Sequence, residues 1–400
     1  MELTIKQNQG LDIALQRYKD REKYTIISGY AGTGKSTLVS FIIDALGSCG
    51  IDPDEDVCFA CYTGKACQVL LNMGNKNVCT LHKLLYDHVP KPDGGWIRKP
   101  KSSIDYKIII VDEVSMAPKK LMDALFKHNV HVICLGDPFQ LPPIDKDSDH
   151  HLLDNPHIFL DEIMRQAAES EIIQLATKIR NFEPFTASEF SGKEVKIFNQ
   201  KDLSTGMLMW GDQVIVGTNA TRIMINKTMR DELGRVGGPQ NGDKVICLRN
   251  YWDVCSMDGD PLVNGTIGYL KNPFENFFRL PYWFNMNNPG ARDIPIILSG
   301  FISDVDEDYG SLAMDKKLIL EGERTLDWKT IYRLNKSEKT KHLVPFEFTY
   351  GYAITCHKAQ GSQFPKVVIY EEGFPFAKEE HARWLYTACT RASEKVVLLR

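Results

Sequence analysis

The residues Gly29-Tyr30-Ala31-Gly32-Thr33-Gly34-Lys35-Ser36 follow the spacing G-x-x-x-x-G-K-[ST], which suits a chain of phosphates. Gly29, Gly32 and Gly34 let the backbone wrap the phosphates with its N–H groups turned inward. Thr33 lies inside that wrap. Thr37 belongs to the helix that follows, whose positive N-terminal end adds to the attraction. Lys35 is placed to reach the β- and γ-phosphates, and Ser36 to bind Mg2+. A second site, Ile108-Ile109-Ile110-Val111-Asp112-Glu113, is an apolar run that delivers two carboxylates to its C-terminal edge. Asp112 suits the Mg2+ shell, and Glu113 suits a general base that polarises an attacking water. Together the two sites imply hydrolysis of a nucleoside triphosphate such as ATP, without saying what the energy does.

Such groups need a parallel sheet that presents ligands at its carboxyl edge. The sequence predicts one. Short apolar runs at 24–28, 57–62, 107–111 and 130–135 alternate with helical stretches such as 35–45 and 119–127. The stretch 89–101 interrupts them with prolines and an Asp93-Gly94 turn signal, which predicts a projecting loop or hairpin. A second α/β segment begins after residue 165, with strands at 214–218, 367–370 and 396–399 and a helix near 379–387. From about residue 241 to 344 the pattern changes to short strands and turns, and Asn264-Gly265 supplies the positive-φ positions of a tight hairpin. The expected fold class is α/β: two P-loop-type domains with parallel sheets, the second carrying a small β-rich insert. The expected boundaries are 1–165 for the first domain, with a loop or hairpin insert at about 86–104. The second domain takes 166–240 and 345–400, and the β insert 241–344.

The chain has 400 residues, 43% apolar and 25% charged, ordinary values for a globular protein of two or three domains. No apolar run approaches the roughly 20 residues that span a bilayer, and Met1-Glu2-Leu3-Thr4-Ile5-Lys6 lacks the layout of a signal peptide. A soluble, cytoplasmic protein without a membrane partner is the expectation. The net charge of −4 argues against a protein that coats nucleic acid non-specifically, but leaves room for a local basic groove. The ten cysteines are expected to be reduced. Cys58, Cys61, Cys67, Cys79 and His82 have a zinc-like spacing. However, Cys58 and Cys61 lie three apart on a predicted strand and face opposite sides, so core packing is expected instead.

Further along the chain, Gly136-Asp137-Pro138-Phe139-Gln140-Leu141-Pro142-Pro143 follows another strand. With it the chain resembles superfamily 1 helicases, in particular the RecD-like and phage Dda-like branch, over nearly its whole length and in the family's motif order. Thr63-Gly64-Lys65-Ala66 and Thr80-Leu81-His82-Lys83-Leu84-Leu85 resemble the first two strand-contacting motifs. Val111-Asp112-Glu113-Val114-Ser115-Met116 resembles the acidic motif, and Arg165-Gln166 resembles a phosphate-sensing arginine. Thr355-Cys356-His357-Lys358-Ala359-Gln360-Gly361-Ser362 and Tyr386-Thr387-Ala388-Cys389-Thr390-Arg391-Ala392 resemble the late motifs. Leu3-Thr4-Ile5-Lys6-Gln7 resembles the motif whose glutamine reads adenine.

The resemblance implies two RecA-like domains with ATP between them, and an SH3-like insert around Gly242-Asp243-Lys244 and Val263-Asn264-Gly265. It implies that Gln7, Gln140, Arg165, Gly361 and Arg391 serve the nucleotide alongside the phosphate loop. Arg391 would be the finger on transition-state charge, and Gln140 the link from the γ-phosphate to the nucleic-acid groove. Thr63, Lys65, His82 and His357 would grip phosphate and sugar without reading sequence. The basic loop with Lys91, Trp96, Arg98, Lys99 and Lys101 is either a strand-holding element or an ordinary solvated loop. The aromatics Phe274, Phe277, Phe278, Tyr282, Trp283 and Phe284 are expected to fill a core. Gln363 stands where RecD-like members often carry glutamate.

The expected activity is ATP-dependent 5′-to-3′ translocation on single-stranded DNA, with unwinding of duplex or displacement of bound protein. The expected agent is a monomer in a phage-infected or bacterial cell, working in replication or repair beside single-strand-binding or replication proteins. The alternatives are an RNA helicase of a viral replication complex and a P-loop NTPase that does not unwind.

Overall fold

Ile108, Ile109, Ile110 and Val111 are all fully buried, so the strand they form must have a packed layer on each face. Their side chains alternate as a strand requires. Ile109 and Val111 join a cluster with Cys58, Ala60, Leu81 and Leu121. Ile108 and Ile110 join another with Leu38, Ile42 and Ile133. The computed structural model describes residues 3–90, 96–142, 151–257, 261–281, 293–375 and 377–400. Contacts divide these residues into two units. One comprises the chain up to Tyr86, Pro100–Thr218 and Thr355–Arg400; the other comprises Asp87–Lys99 and Asn219–Ile354.

The first unit holds two parallel sheets. In the larger, the strands run in the order Val78–Thr80, Val57–Cys61, Ile108–Asp112, His131–Gly136, Tyr24–Gly29 and Ile158–Leu160, and every pairing is parallel. The strand order reverses beside Tyr24–Gly29, which places the phosphate loop at the topological switch point where such sheets bind ligands. In the second sheet Gln213–Val216, Phe364–Tyr370, Ala392–Leu399 and Val195–Phe198 lie side by side, again parallel. With their covering helices these are the two RecA-like domains. The stretch around 89–101 pairs strand Tyr86–Pro90 with Trp96–Pro100.

The second unit is built on an antiparallel sheet in the order Asp308–Asp315, Asp293–Ser303, Ile267–Arg279, Lys244–Cys247 and Phe348–Tyr350. Three readings change here. Only Gly265, at φ +95°, takes a left-handed conformation in the Asn264-Gly265 turn, so it is not a turn with two positive-φ positions. A register shift between Lys271 and Phe274 re-aims the long strand, and Asn272 sits at φ +50° within it. Beyond that bulge Phe278 packs against Leu280, Ile294 and their neighbours, whereas Phe274 and Phe277 are exposed instead of filling a core. Tyr282, Trp283 and Phe284 lie outside the described residues. The segment 316–341 contains the short helices Lys316–Glu321, Trp328–Leu334 and Glu338–Lys341, where short strands and turns were expected.

Helix Asn219–Glu232 is tied into this unit. Arg230 donates from Nε to Asp243 Oδ1 and from Nη2 to Oδ2, each at 3.2 Å. Tyr352 Oη donates to Asp243 Oδ1 at 2.9 Å and the Gln240 N–H to Oδ2 at 2.7 Å. Asp243 is fully buried and Arg230 nearly so. Removing one partner of a buried pair leaves the other charge uncompensated. Asp243→Ala is therefore expected to destabilise the protein by about 3–5 kcal/mol, read as an earlier urea midpoint of the intrinsic fluorescence. An unchanged midpoint would show that Arg230 finds compensation elsewhere.

Candidate nucleotide site

Strand Tyr24–Gly29 ends in the phosphate loop, and helix Lys35–Leu46 begins where it closes. The turn needs Gly32 at φ +78° and Gly34 at φ +75°. A Cβ on Gly34 would also collide with Met164 Sδ and Gln7 Nε2. Lys35 Nζ donates to the carbonyls of Gly29 (2.8 Å) and Tyr30 (3.0 Å), so the amine is held over the loop it serves. Ser36 is exposed at the start of the helix, with Thr37 beside it. Gln7 is buried behind the loop. Its Nε2 donates to Thr33 O (3.2 Å) and Gly34 O (3.3 Å), and its Oε1 accepts from the Thr4 N–H at 3.0 Å. Thr4 and Gln7 form the capping box of helix Ile5–Lys19. The glutamine is thus a strut for the loop's backbone.

Asp112 ends its strand, with Oδ1 accepting the Glu113 N–H at 2.8 Å. Desolvation, reinforced by the neighbouring Glu113 carboxylate, pushes the Asp112 carboxyl up to about 6. Lys35 and Arg391 pull it the other way. A desolvated carboxylate beside a second one is the donor chemistry that a divalent cation relieves, and Ser36 offers a hydroxyl, so the residues fit Mg2+. Among the described residues no cluster of three or more His, Cys, Asp or Glu forms a metal cage. Cys58 meets Cys79, their Sγ atoms 3.6 Å apart, while Cys61 packs with Cys67 in another cluster.

Glu113 sits at φ +51°, a left-handed turn that points its carboxylate toward the second sheet's motifs. Gln140 Nε2 donates to Glu113 Oε2 at 3.1 Å and Gln140 Oε1 accepts from Arg391 Nη2 at 3.1 Å, the amide orientation its neighbours require. Arg391 Nη1 lies 3.7 Å from Glu113 Oε1. The guanidinium is only 4% exposed and also donates from Nε to Thr387 O at 3.2 Å. Thus Glu113, Gln140 and Arg391, far apart in sequence, form one cluster.

The other expected site residues fall in several places. Arg165 opens helix Arg165–Ala168, and the preceding Met164 N–H donates to Gly32 O at 2.9 Å. The backbone of Arg165 therefore lies close to the phosphate loop, and its side chain is outside the description. Gly361 packs against Thr63: a Cβ there would stand 2.9 Å from Thr63 Oγ1. Thr63 caps helix Gly64–Asn72, and Lys65 is nearly buried in its first turn. His82 lies between the rings of Tyr62 and Tyr86. Burial pulls the His357 imidazole below its usual value, which favours the neutral form. Trp96 lies on its strand with its side chain outside the description, and Lys91 is outside it altogether.

Sequence reading missed a second connection. Asp137, 1% exposed, accepts from Tyr386 Oη at 2.6 Å and from the Phe139 N–H at 2.9 Å. The same Tyr386 hydroxyl accepts from the Ala31 N–H of the phosphate loop at 2.8 Å. Arg383 Nη1 donates to Pro138 O (2.8 Å), the Leu141 N–H donates to Thr387 Oγ1 (3.0 Å) and Gln360 Nε2 donates to Leu141 O (2.8 Å). Residues 383, 386, 387 and 391 recur at helical spacing along and just past helix Lys378–Cys389. That periodicity was the available signal.

A phosphate-loop sequence, an acidic strand end, and an arginine and tyrosine from the second lobe are brought together by two RecA-like lobes. Comparison with known proteins agrees. Residues 6–195 match the family described as AAA domain, and residues 350–399 the UvrD-like helicase C-terminal domain. The chain is 27% identical to the ATP-dependent RecD2 DNA helicase of Deinococcus radiodurans over 397 residues, covering 93% of this chain and 46% of that protein. It is 29% identical to the ATP-dependent DNA helicase dda of Enterobacteria phage T4 over 193 residues, covering 45% and 43%. The chain thus spans less than half the length of these relatives. A crystal structure of Pif1 helicase from Bacteroides with ADP-AlF3 and ssDNA has the same fold, with a TM-score of 0.53 and 20% identity over 100% of this chain and 92% of that one. These matches make the chain similar in sequence to the RecD2 and dda helicases and similar in fold to Pif1 helicase.

Tyr386→Phe removes the hydroxyl that bridges Asp137 and Ala31. It is expected to cost about 1–3 kcal/mol of stability and to slow hydrolysis about tenfold with nucleotide binding largely kept. Thermal melts and single-turnover ATP hydrolysis check this, and wild-type values in both would remove the bridge from the working machinery.

Proposed function

We propose that this chain is an ATP-driven DNA helicase that translocates along single-stranded DNA in the 5′-to-3′ direction. The observation that carries this reading is the Glu113–Gln140–Arg391 cluster. It joins the general base of one lobe to a buried arginine of the other, through a residue of the loop after the next strand. Lys35 turns from the loop carbonyls to the β- and γ-phosphates, while the loop N–H groups take the phosphate oxygens. Asp112 and Ser36 hold Mg2+, which supplies charge neutralisation at those oxygens. Glu113 orients and deprotonates the attacking water. Arg391, released from Glu113, meets the charge that develops on the γ-phosphoryl group, and Arg165 senses the same group. Because Gln140 and Tyr386 hang on the same contacts, binding and loss of the γ-phosphate change how the two lobes hold each other.

On this reading residues 1–165 form the first motor domain, and 166–240 with 345–400 the second. Residues 241–344 are the insert. Gln7 acts on the nucleotide through the loop it braces. Gly361 serves the nucleotide side, and Thr63, Lys65, His82, Trp96 and His357 serve the strand side, where sequence-independent contacts to phosphate and sugar give grip. The relatives named as ATP-dependent DNA helicases, and the Pif1 fold solved with ssDNA, support DNA as the track. A monomer working in the cytoplasm beside single-strand-binding proteins completes the proposal. Among the described residues no helix is long and apolar enough to cross a membrane.

Steady-state ATP hydrolysis with and without oligo-dT tests the reading. Strong stimulation, abolished in Lys35→Ala with strand binding retained, is expected. An unstimulated rate would leave an NTPase without a DNA track, and stimulation by oligo-U alone would make the track RNA. Arg391→Ala is expected to bind ATP normally and to hydrolyse it about 10³-fold more slowly. Hydrolysis at the wild-type rate would remove Arg391 from the reaction.

A further inference from the structure

Helix Trp328–Leu334 of the second unit buries Thr330, Ile331 and Leu334 and turns Trp328, Lys329, Tyr332 and Arg333 outward. Its buried side is accounted for: Ile331 and Leu334 pack with Leu280, Ile294 and Leu326. Its outward side carries aromatic rings and cations. Trp328 is 53% exposed and Tyr332 64%, a degree of exposure at which large rings rarely contribute to a core. The guanidinium carbons of Arg249 and Arg324 stand 4.5 and 4.3 Å from the centre of the Trp328 ring, and Lys336 Nζ stands 4.6 Å from that of Tyr332.

Neutralisation on this face is partial. Buried Glu347 takes Arg249 at 3.2 Å and Arg324 at 2.8 Å, so one carboxylate serves two guanidiniums. Asp327, an exposed acid of the face, caps the helix by accepting the Thr330 N–H at 2.6 Å. The result is a basic, aromatic surface on a chain whose formal net charge is −4.

We propose that this face holds a single strand of nucleic acid, with a base stacked on Tyr332 and phosphates on Lys329, Lys336 and the Arg249–Arg324 pair. Exposed rings among cations are the combination that binds unpaired strands irrespective of sequence, because every base has a π-face and every linkage a negative charge. Trp328, held by its two guanidiniums, forms the fixed wall beside the stacking ring. The proposal rests on the motor reading and assigns that motor a strand contact outside its RecA-like lobes.

The test uses the full chain and a fluorescently labelled oligo-dT, with anisotropy titrations at several salt concentrations. Tyr332→Ala is expected to bind at least about fivefold more weakly, and Tyr332→Phe, which keeps the ring, about as tightly as wild type. Lys329→Glu combined with Lys336→Glu is expected to weaken binding and to lower the slope of log affinity against log salt by about 1.4, the loss of two phosphate contacts. ATP hydrolysis without DNA should be unchanged in every variant. Wild-type affinity and slope in both Tyr332→Ala and the charge-reversed variant would overturn the proposal while leaving the motor reading intact. So would polyglutamate binding that these variants abolish while oligo-dT binding persists, which would give the face to an acidic protein. A wild-type chain that neither binds oligo-dT nor hydrolyses ATP faster with it would overturn the surface and the motor reading together.

Discussion

Arg391 carries a charge that it cannot discharge. A guanidinium stays protonated at any pH a protein survives, and burial of an unpaired ion costs several kcal/mol. The side chain is almost wholly removed from solvent, so it must always face an acceptor or an anion. Its carboxylate partner is Glu113, 3.7 Å away and rooted in the other parallel sheet, and Gln140 bridges the two. A terminal phosphate would offer the same guanidinium a stronger anion, because its oxygens match the planar donor fork and carry more charge. The two lobes of the first unit are therefore held by a contact for which, on the proposed reading, a nucleotide would compete, and that exchange of anions would couple chemistry to domain position.

The loop Gly136–Leu141 is where that competition would be felt. It is gripped from helix Lys378–Cys389 by Arg383 at Pro138, Tyr386 at Asp137 and Thr387 at Leu141, and by Gln360 at Leu141 from the late motif. Each bond contributes about 0.5–1.5 kcal/mol net, and none alone could decide the arrangement. Their acceptors and donors come from neighbouring residues of one short loop, so they form or break as a set. Tyr386 extends that set to Ala31, which makes the phosphate loop part of the same network. Asp137 is deeply buried, and desolvation pushes its carboxyl upward against the pull of Lys35 and of the Tyr386 hydrogen bond. Lys35 and the hydroxyl thus both favour the charged form of this buried acid.

How much of this could be read from sequence depended on how local the cause was. The phosphate loop was legible because Gly32 and Gly34 are required by backbone angles, and Lys35 by its position in the run. The central strands were legible because Ile108–Asp112 is apolar on both faces. Their ends were shifted by a residue or so, since boundaries are set by neighbours in the sheet. The insert was less legible. Phe274 and Phe277 looked like core by density, but a bulge near Asn272 decided their side. The helices between 316 and 341 are too short for periodicity to stand out from noise. Gln7 was legible only through its motif, and its hydrogen bonds to the carbonyls of Thr33 and Gly34 could not be read from spacing. Tyr386 and Asp137 could be seen only once two distant segments met.

Glu113 shows how a local conformational cost makes the site possible. In an extended strand, consecutive residues project to opposite faces, so Asp112 and Glu113 would diverge and one carboxylate would enter the packed layer beneath the sheet. The left-handed turn at Glu113 prevents this at a cost of about 1–3 kcal/mol, and the short 3₁₀ segment Val114–Met116 continues from it. Asp112 is left to act at the strand's edge beside Lys35, and Glu113 is aimed at Gln140 and Arg391. Two adjacent carboxylates thereby acquire different electrostatic partners and can carry different duties. The buried strand behind them and the Arg391 charge ahead hold a conformation that the isolated sequence would disfavour.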